Sequence, residues 1–327
     1  MRALLCKELG APLVVENVPE PGLGAGEVRV AMHACGVNFA DLLIVAGKYQ
    51  ERPELPFTPG MEGAGVVLEV APEVSRVAPG DRVMTFAGIG ACAEESVVPE
   101  DGVLAIPEAM DFVTAAGFAV VYGTAHLALN HRAGLKPGEV LLVHAAAGGV
   151  GLAAVEVGKA MGARVIGAAG SPEKCTLAKQ HGADETIDYR AESIRDRVKE
   201  LTDGRGADVV FDPVGGDAFD AGLRCTAWEG RILVVGFASG QIPKIPANLC
   251  LIKNISAIGV YWGAYRKRDP AVHRASFEEL FRMFEAGKLQ PHISATFELS
   301  DANEAYARLG SRKSTGKLVL TTAREAR

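Results

Sequence analysis

The sequence has few cysteines, no long apolar run and no excess of basic residues, and each of these shortages excludes a class of protein. Its six cysteines are widely scattered without a Cys-x-x-Cys pair, which argues against a structural zinc site and does not support a disulfide framework. Glycine or charge interrupts every apolar run well before the roughly 20 residues that a membrane helix needs. The net charge is −6 and the basic residues are dispersed, which argues against nucleic acid as a partner.

The general composition is that of a soluble globular protein. Apolar residues make up 48% and charged residues 23% of the 327 residues, a length that accommodates two domains. The first residues read as a strand and lack the apolar region and cleavage site of a signal peptide, so a cytoplasmic location is expected.

Residues 140–151 carry the clearest motif. An apolar run over 140–143 leads into a turn of small residues and then into a helix-compatible segment, 152–161. The turn reads Ala146-Ala147-Gly148-Gly149-Val150-Gly151, a G-x-G-x-x-G fingerprint with alanine in place of the first glycine. Glycines allow a pyrophosphate to approach, and the free N–H groups of the following helix bind it. The motif predicts a dinucleotide site at residues 147–150; an ordinary strand-to-helix turn is the alternative.

The apolar patterns predict two kinds of organisation along the chain. The first 120 residues read as short strands separated by turns, with one helix starting near Asn38. From Gly138, strands and helices alternate at α/β spacing. The predicted strands span residues 140–143, 164–168, 185–187, 208–211, 231–235 and 256–260, with helices starting near Val150, Pro172, Ser193 and Asp217. The tail contains a predicted helix over 277–284, a segment over 298–309 and a strand over 317–321. The predicted fold class is α/β, with a Rossmann-type six-stranded parallel sheet and a mostly β domain.

The end of the second predicted Rossmann strand bears on the choice of nucleotide. NAD-binding units place an Asp or Glu there, whereas this chain reads Gly170-Ser171-Pro172-Glu173-Lys174, with Glu173 inside the next helix. The Ser171 hydroxyl and the Lys174 ammonium are suited to a 2′-phosphate, and Tyr189 offers a further hydroxyl. These residues favour NADPH over NADH. Ser171 also fits the N-cap of a helix, and the two roles are compatible.

Several further segments, taken together, are more specific than the glycine loop. They are residues 36–42 (Gly-Val-Asn-Phe-Ala-Asp-Leu), 59–65 (Pro-Gly-Met-Glu-Gly-Ala-Gly), 80–83 (Gly-Asp-Arg-Val), 138–139 (Gly-Glu), 212–216 (Asp-Pro-Val-Gly-Gly) and 315–317 (Thr-Gly-Lys), with Leu142 and Lys159. With the loop, they make the chain resemble the zinc-independent quinone oxidoreductases, the zeta-crystallin-like group of the medium-chain dehydrogenase/reductase superfamily. Glu156 stands where that family usually carries glutamine, a departure we expect to be minor.

The resemblance implies a domain organisation and the absence of a metal. It implies a GroES-like catalytic domain over 1–124, a Rossmann NADPH-binding domain over 125–266 and a return over 267–327 that completes the catalytic domain. Zinc alcohol dehydrogenases of the superfamily carry cysteine where Asn38 stands and histidine where Met61 stands, and asparagine and methionine are not usual zinc ligands. Residues 87–100, where the structural zinc lobe would lie, contain one cysteine. Without a metal, oxidation of simple alcohols is disfavoured.

The resemblance therefore predicts that NADPH reduces an electron-poor acceptor, such as a quinone, with negative charge growing on the acceptor oxygen. The candidate catalytic residues are Asn38, Asp41 and Tyr49, with Asn38 and Tyr49 as the hydrogen-bond donors. In relatives, the residues matching 38–41 line the nicotinamide site and a tyrosine near 49 faces the substrate cleft. Asn38 as an N-cap with Asp41 at N3, and Tyr49 as a packing residue, are the structural alternatives.

Three further residues are candidate cofactor contacts. Thr124 resembles the threonine that approaches the nicotinamide, or is a hydroxyl at a helix start. Phe237, just past the fifth Rossmann strand, is predicted at the carboxyl edge where ligands bind, with a core position as the alternative. Lys317 is a candidate by family analogy, and an edge-strand surface lysine otherwise. His144 is interpreted as a buried, neutral histidine.

Three functions remain open at this point. The first is quinone reduction; the second is reduction of an enone, alkenal or 2-enoyl thioester, in which a tyrosine near Tyr49 donates a proton. The third is a non-catalytic NADPH-binding protein of the crystallin-like or RNA-binding kind, although the acidic net charge argues against RNA. The resemblance also implies a homodimer formed near residues 255–260.

Overall fold

The computed structural model describes residues 1–322, which form two compact units. The first contains Met1–Val120 and the chain from Pro291 onward, and the second contains Val121–Gln290. From the resemblance we expected the domain boundaries to lie between residues 124 and 125 and between residues 266 and 267. The second difference arises because helix 270–285 packs within the second unit, where Ser276 contacts His126 and Phe277 contacts Trp262. None of the helices in residues 1–322 combines the length and apolarity needed to cross a membrane.

The elements are numbered in chain order. The strands are β1 (Arg2–Leu5), β2 (Val14–Asn17), β3 (Glu27–Val37), β4 (Glu62–Val70), β5 (Arg82–Thr85), β6 (Glu95–Pro99), β7 (Val103–Ala105), β8 (Val140–His144), β9 (Arg164–Ala169), β10 (Glu185–Asp188), β11 (Ala207–Asp212), β12 (Thr226–Val234), β13 (Ser256–Gly259), β14 (Ile293–Glu298) and β15 (Lys317–Thr321). The helices are α1 (Phe39–Val45), α2 (Phe112–Ala116), α3 (Ala119–His126), α4 (Gly149–Ala160), α5 (Pro172–Gln180), α6 (Ile194–Leu201), α7 (Gly216–Cys225), α8 (Ala247–Lys253), α9 (Tyr265–Arg268), α10 (Pro270–Glu285) and α11 (Ala302–Gly310).

The first unit is built around a seven-stranded, mainly antiparallel sheet. Its longest strand, β3, pairs with β4, β6 and β15, and its apolar side chains are buried in the unit's core. The tail of the chain supplies β14 and β15, and β15 runs antiparallel to β3 with Leu318 opposite Val37. This sheet therefore contains strands from both ends of the described sequence.

The second unit contains a six-stranded parallel sheet in the order β10-β9-β8-β11-β12-β13. Strand β8 is buried on both faces, as expected for the apolar run at 140–143, because helices cover both sides of parallel sheets. All six predicted Rossmann strands and the four predicted helix starts correspond to observed elements to within a few residues. The predicted fold class, a Rossmann-type sheet with a mostly β domain, is confirmed.

The sequence patterns missed α2, α3, α8, α9 and β14, and α10 is longer than predicted. Helix α2 has only five residues and begins at an Asp111 cap, so it is too short to show helical periodicity. The apolar side chains Leu251 and Ile252 of α8 are exposed, which hides the amphipathic pattern that marks a helix. The predicted 277–284 is the half of α10 that contains the buried Phe277 and Leu280.

Candidate cofactor and active site

The glycine loop joins β8 to α4 in the second unit. Ala145 has a positive φ of 51°, and the Gly148 N–H donates to the Ala145 carbonyl at 2.8 Å, which closes a tight turn. Helix α4 begins at Gly149, so the N–H groups of residues 149–151 have no acceptor inside the helix. The predicted residues 147–150 thus form one continuous turn and helix start, which fits the binding of a pyrophosphate.

Gly151 lies where the helix crosses closest to the end of the strand. A Cβ at this position would lie 2.1 Å from the Ala145 carbonyl oxygen and 3.1 Å from the His144 carbonyl oxygen. Both neighbours are backbone atoms, which cannot swing away as a side chain would. Only glycine therefore allows α4 to start so close to β8.

The turn after β9 holds the predicted ribose-binding residues. Ser171 caps α5, with its Oγ accepting from the Lys174 N–H at 3.3 Å, and Pro172 occupies the first turn, as the alternative interpretation predicted. The Ser171 side chain also forms a hydrogen bond with the Glu173 carboxylate, which lowers the pKa of Glu173. Glu173 lies inside α5, as predicted, and its carboxylate contacts the Ser171 hydroxyl at the start of that helix.

A positive pair lies beside this turn. Lys174 has its pKa lowered by partial burial and by the charge of Arg190, which follows Tyr189 after β10. The Tyr189 ring packs on Gly170, where a Cβ would meet its Oη at 2.5 Å, and the side chain remains half exposed. Arg190 was not identified from the sequence. Two cations and an exposed hydroxyl beside one carboxylate fit a 2′-phosphate better than a free ribose hydroxyl.

At the C-terminal ends of the parallel strands, the buried side chain of Asp212 forms hydrogen bonds with the turn that follows β11. Asp212, at the end of β11, accepts from the Val214 and Gly215 N–H groups at 3.0 Å and lies 3.0 Å from His144 Nδ1. His144 and Asp212 are both almost fully buried, so the predicted burial of His144 is confirmed. Phe237 is partly exposed and packs over the turn at Gly215, so it lies at the predicted edge of the sheet.

Thr124 lies in the same unit but on a different element. It is buried in the interior of α3, so the alternative of a hydroxyl at a helix start is wrong. Its neighbour Gly123 lies against the Trp262 ring, where a Cβ would come within 2.7 Å of Nε1. Its role as a cofactor contact stays a prediction.

In the first unit, three of the predicted residues share one buried polar network with Glu62. The Lys317 ammonium donates to Glu62 Oε1 at 2.7 Å, to Asn38 Oδ1 at 2.8 Å and to the Val37 carbonyl at 3.0 Å. All three N–H groups of the ammonium are therefore used within the unit, and Lys317 is buried rather than on the surface. A contact between Lys317 and the cofactor would require one of these bonds to be exchanged, so it stays a prediction.

Asn38 and Asp41 act together at the start of α1. The Asn38 N–H donates to Asp41 Oδ2 at 2.8 Å, and the Asn38 amide donates to Glu62 Oε1 at 2.9 Å. Burial raises the pKa of Asp41 to about 7, against the opposing effects of the Asn38 N–H and the Lys317 charge. Asp41 therefore fixes the start of α1, whereas the Asn38 side chain is used by Glu62 and Lys317 and makes no capping bond; the catalytic roles of both residues remain proposals.

Tyr49 differs from these residues because its hydroxyl is available. It is half-buried against the core of the first unit, and its hydroxyl forms no hydrogen bond with any other residue in the described range 1–322. Burial, together with the charges of Glu51 and Asp41, raises its pKa, so the group stays protonated at neutral pH. Of the two candidate donors, Tyr49 is the one whose proton is not already committed.

Comparison with known proteins identifies relatives along the whole chain. Residues 24–108 match the family model of the alcohol dehydrogenase GroES-like domain, and residues 149–285 match that of the zinc-binding dehydrogenases. Quinone oxidoreductase-like protein 2 homolog of Nematostella vectensis is 51% identical over 98% of this chain and 89% of its own length. Quinone oxidoreductase of Pseudomonas aeruginosa is 40% identical over 95% and 96%. The chain belongs to the zinc-independent quinone oxidoreductases.

A solved structure shows the same fold. The crystal structure of Escherichia coli quinone oxidoreductase complexed with NADPH superposes with a TM-score of 0.91, at 30% identity over 98% of this chain and 100% of that one. The matched family model is named for zinc-binding dehydrogenases, but this chain has Asn38 and Met61 at the two positions where the resemblance places zinc ligands in those enzymes. Within residues 1–322, no group of three or more His, Cys, Asp or Glu side chains could hold a metal ion.

Two residues of the candidate site could not be identified from the sequence. Glu62 lies 255 residues from its partner Lys317, so no local pattern could connect the two. Arg190 lies in a different element from Lys174, and its only signal was its position next to Tyr189.

Proposed function

We propose that this protein is an NADPH-dependent reductase that transfers hydride to quinones. The single observation that carries the proposal is the free, protonated hydroxyl of Tyr49 in a chain whose relatives are named quinone oxidoreductases. When bound, NADPH supplies the hydride. The residues of the chain then have to bind the cofactor, exclude water and donate a hydrogen bond to the oxygen on which charge develops.

The second unit supplies the groups for the cofactor. The free N–H groups of residues 149–151 hold the pyrophosphate, and Lys174 and Arg190 hold the 2′-phosphate. NADPH is also the cofactor in the crystal structure of the E. coli relative. Thr124 and Phe237 are proposed to border the nicotinamide.

The first unit supplies the groups for the acceptor. The Tyr49 hydroxyl donates a hydrogen bond to the acceptor oxygen. The network of Asn38, Asp41 and Lys317 keeps α1, which precedes Tyr49, in a fixed position. In this arrangement Asn38 acts through its contacts in the network, and Tyr49 acts on the substrate.

Substitution of Tyr49 by phenylalanine distinguishes this function from its nearest alternative. A quinone is reactive enough to need only hydrogen-bond assistance, so we expect kcat/KM for 1,4-benzoquinone to fall by about tenfold or less when the donor is removed. For a 2-enoyl thioester, where the tyrosine would deliver a proton, the loss should be on the order of 100-fold to 10,000-fold.

Both substrates are measured with wild-type protein and with Y49F under identical conditions, and NADPH affinity serves as the control. If the wild-type protein reduces only crotonyl thioester, and Y49F abolishes that reaction, enoyl reduction replaces quinone reduction as the function.

A second copy of the chain is the proposed partner. Strand β13 is the edge of the six-stranded sheet, and the segment between β12 and β13 carries the apolar side chains Ile242, Leu251 and Ile252, each more than 60% exposed. A free edge with apolar neighbours is unfavourable in water, and pairing with an identical edge covers both. Light scattering should therefore give twice the 34.3 kDa chain mass at micromolar concentration; a monomer mass would contradict the proposal.

A further inference from the structure

Glu156 is a buried carboxylate in the middle of the helix that follows the glycine loop. Its side chain is only 3% exposed, yet no cation of Lys or Arg forms an ion pair with it among the described residues. Instead it binds three donors from three different parts of the second unit. A buried carboxylate is retained at low cost only where such hydrogen bonds replace the lost water.

The three partners are a tyrosine, a histidine and a backbone amide. The Tyr122 hydroxyl donates to Glu156 Oε2 at 2.7 Å, and the Gln290 N–H donates to the same oxygen at 2.9 Å. His181 Nδ1 lies 2.5 Å from Glu156 Oε1. Burial and the adjacent carboxylate raise the pKa of Tyr122 well above its usual value, so its hydroxyl remains the donor.

Two of these partners stand at the ends of the second unit. The chain enters this unit at Val121 and leaves it at Gln290. Tyr122 is the second residue of this unit, and Gln290 is its last. One carboxylate oxygen of Glu156 therefore holds both segments through which the chain passes from one unit to the other.

On the other side of the entry, Glu62 has a corresponding contact. Its Oε2 accepts from the Val120 N–H at 2.7 Å, within the first unit. Residues 120 and 122 of helix α3 are thus each fixed by a buried glutamate that belongs to their own unit.

The usual glutamine of the family is compatible with the same contacts. A glutamine carbonyl can accept from the Tyr122 hydroxyl and the Gln290 N–H, while its amide donates to His181 Nδ1 in the tautomer that leaves this nitrogen unprotonated. The hydrogen bonds, rather than the charge, are what glutamate and glutamine share at this position.

We propose that Glu156 is a positioning residue, which fastens the entry and exit segments of the second unit to the helix of the glycine loop and thereby sustains the rate of hydride transfer. Glu156 lies more than a helical turn beyond the N–H groups assigned to the pyrophosphate, so it does not contribute to NADPH affinity. Its kinetic consequence rests on the proposed function, whereas its structural role does not.

The test compares Glu156→Ala, Glu156→Gln and Tyr122→Phe with the wild-type protein. Amide hydrogen exchange is followed over residues 119–124 and 287–292, NADPH affinity is measured by fluorescence titration, and kcat is measured with 1,4-benzoquinone. In E156A, the amides of both segments should lose protection against hydrogen exchange, and kcat should fall at least tenfold. The NADPH affinity should stay within twofold of wild type. E156Q should stay within threefold of wild type in all measurements.

Y122F keeps the other two partners of Glu156 and serves as the variant that is expected to fold even where E156A does not. It should lose protection over residues 119–124 but not over 287–292. Lys159→Met is the matched control, because Lys159 lies on the same helix and forms an exposed ion pair with Asp184; it should behave as wild type.

Three results would overturn the proposal. Amide exchange could be unchanged in both segments of E156A, or E156Q could lose as much protection and kcat as E156A does. The third is a fall in the NADPH affinity of E156A that accounts for its lower rate. A wild-type protein that reduces no quinone would refute the proposed function instead. The exchange and affinity measurements would still decide the role of Glu156.

Discussion

Replacement of Gly151 by alanine should weaken NADPH binding on the order of 100-fold, because the added Cβ would lie 2.1 Å from the Ala145 carbonyl oxygen. The contact can be relieved only if the start of α4 moves away from β8. That movement displaces the N–H groups of residues 149–151, which are assigned to the pyrophosphate. We also expect the free energy of unfolding to fall by about 1–3 kcal/mol, the range for overpacked sites.

Two glycines of the same unit calibrate this effect. At Gly148 an added Cβ would be 3.3 Å from the same carbonyl oxygen, so Gly148→Ala should weaken binding less than Gly151→Ala. At Gly263 an added Cβ would have no atom within 4 Å apart from those of the adjacent residues, so Gly263→Ala should bind NADPH as the wild-type protein does. Fluorescence titration measures all three variants. Wild-type affinity in G151A would show that the loop does not hold the cofactor.

Removal of both cations beside Ser171 should change the preference between the two nicotinamide cofactors. We expect Lys174→Ala combined with Arg190→Ala to raise the KM for NADPH on the order of 100-fold, since each charge-assisted hydrogen bond to a phosphate contributes about 1.5–3 kcal/mol. NADH has no 2′-phosphate, so its KM should remain within about twofold of wild type. The Glu173 carboxylate stays in place and would then favour the free ribose.

Lys179→Ala is the control for this pair, because Lys179 lies in the last turn of the same helix, away from Ser171. It removes one positive charge without touching the subsite. If the KM values for NADPH and NADH rose equally in the double variant, Lys174 and Arg190 would lie outside the 2′-phosphate subsite.

The parallel sheet could be predicted from the sequence because its strands are buried on both faces. Such strands read as short apolar runs between glycine turns, as at Val140–His144, and their order along the chain fixes the α/β class. Helix α8 could not be predicted in the same way. Its apolar side chains Leu251 and Ile252 face away from the core, so the periodicity that marks a helix is absent.

In the candidate site too, residues close together in the sequence could be predicted and contacts between distant residues could not. The glycine loop could be identified because its function depends on backbone geometry within a few consecutive residues. The network of Asn38, Glu62 and Lys317 joins residues from β15 to others near the start of the chain, and only the folded sheet brings them together. For Glu156 the sequence showed a departure from the family and suggested that it was minor, while its partners were visible only in the structure.

Quinone reduction by this protein is tested by the initial rate of NADPH oxidation with a panel of acceptors, in the presence of EDTA. The panel contains 1,4-benzoquinone, an ortho-quinone, an alkenal and crotonyl thioester, each with NADPH and with NADH. We expect rapid turnover of the quinones that resists EDTA and prefers NADPH. Turnover confined to the alkenal and the thioester, or no turnover with any of the four, would contradict it.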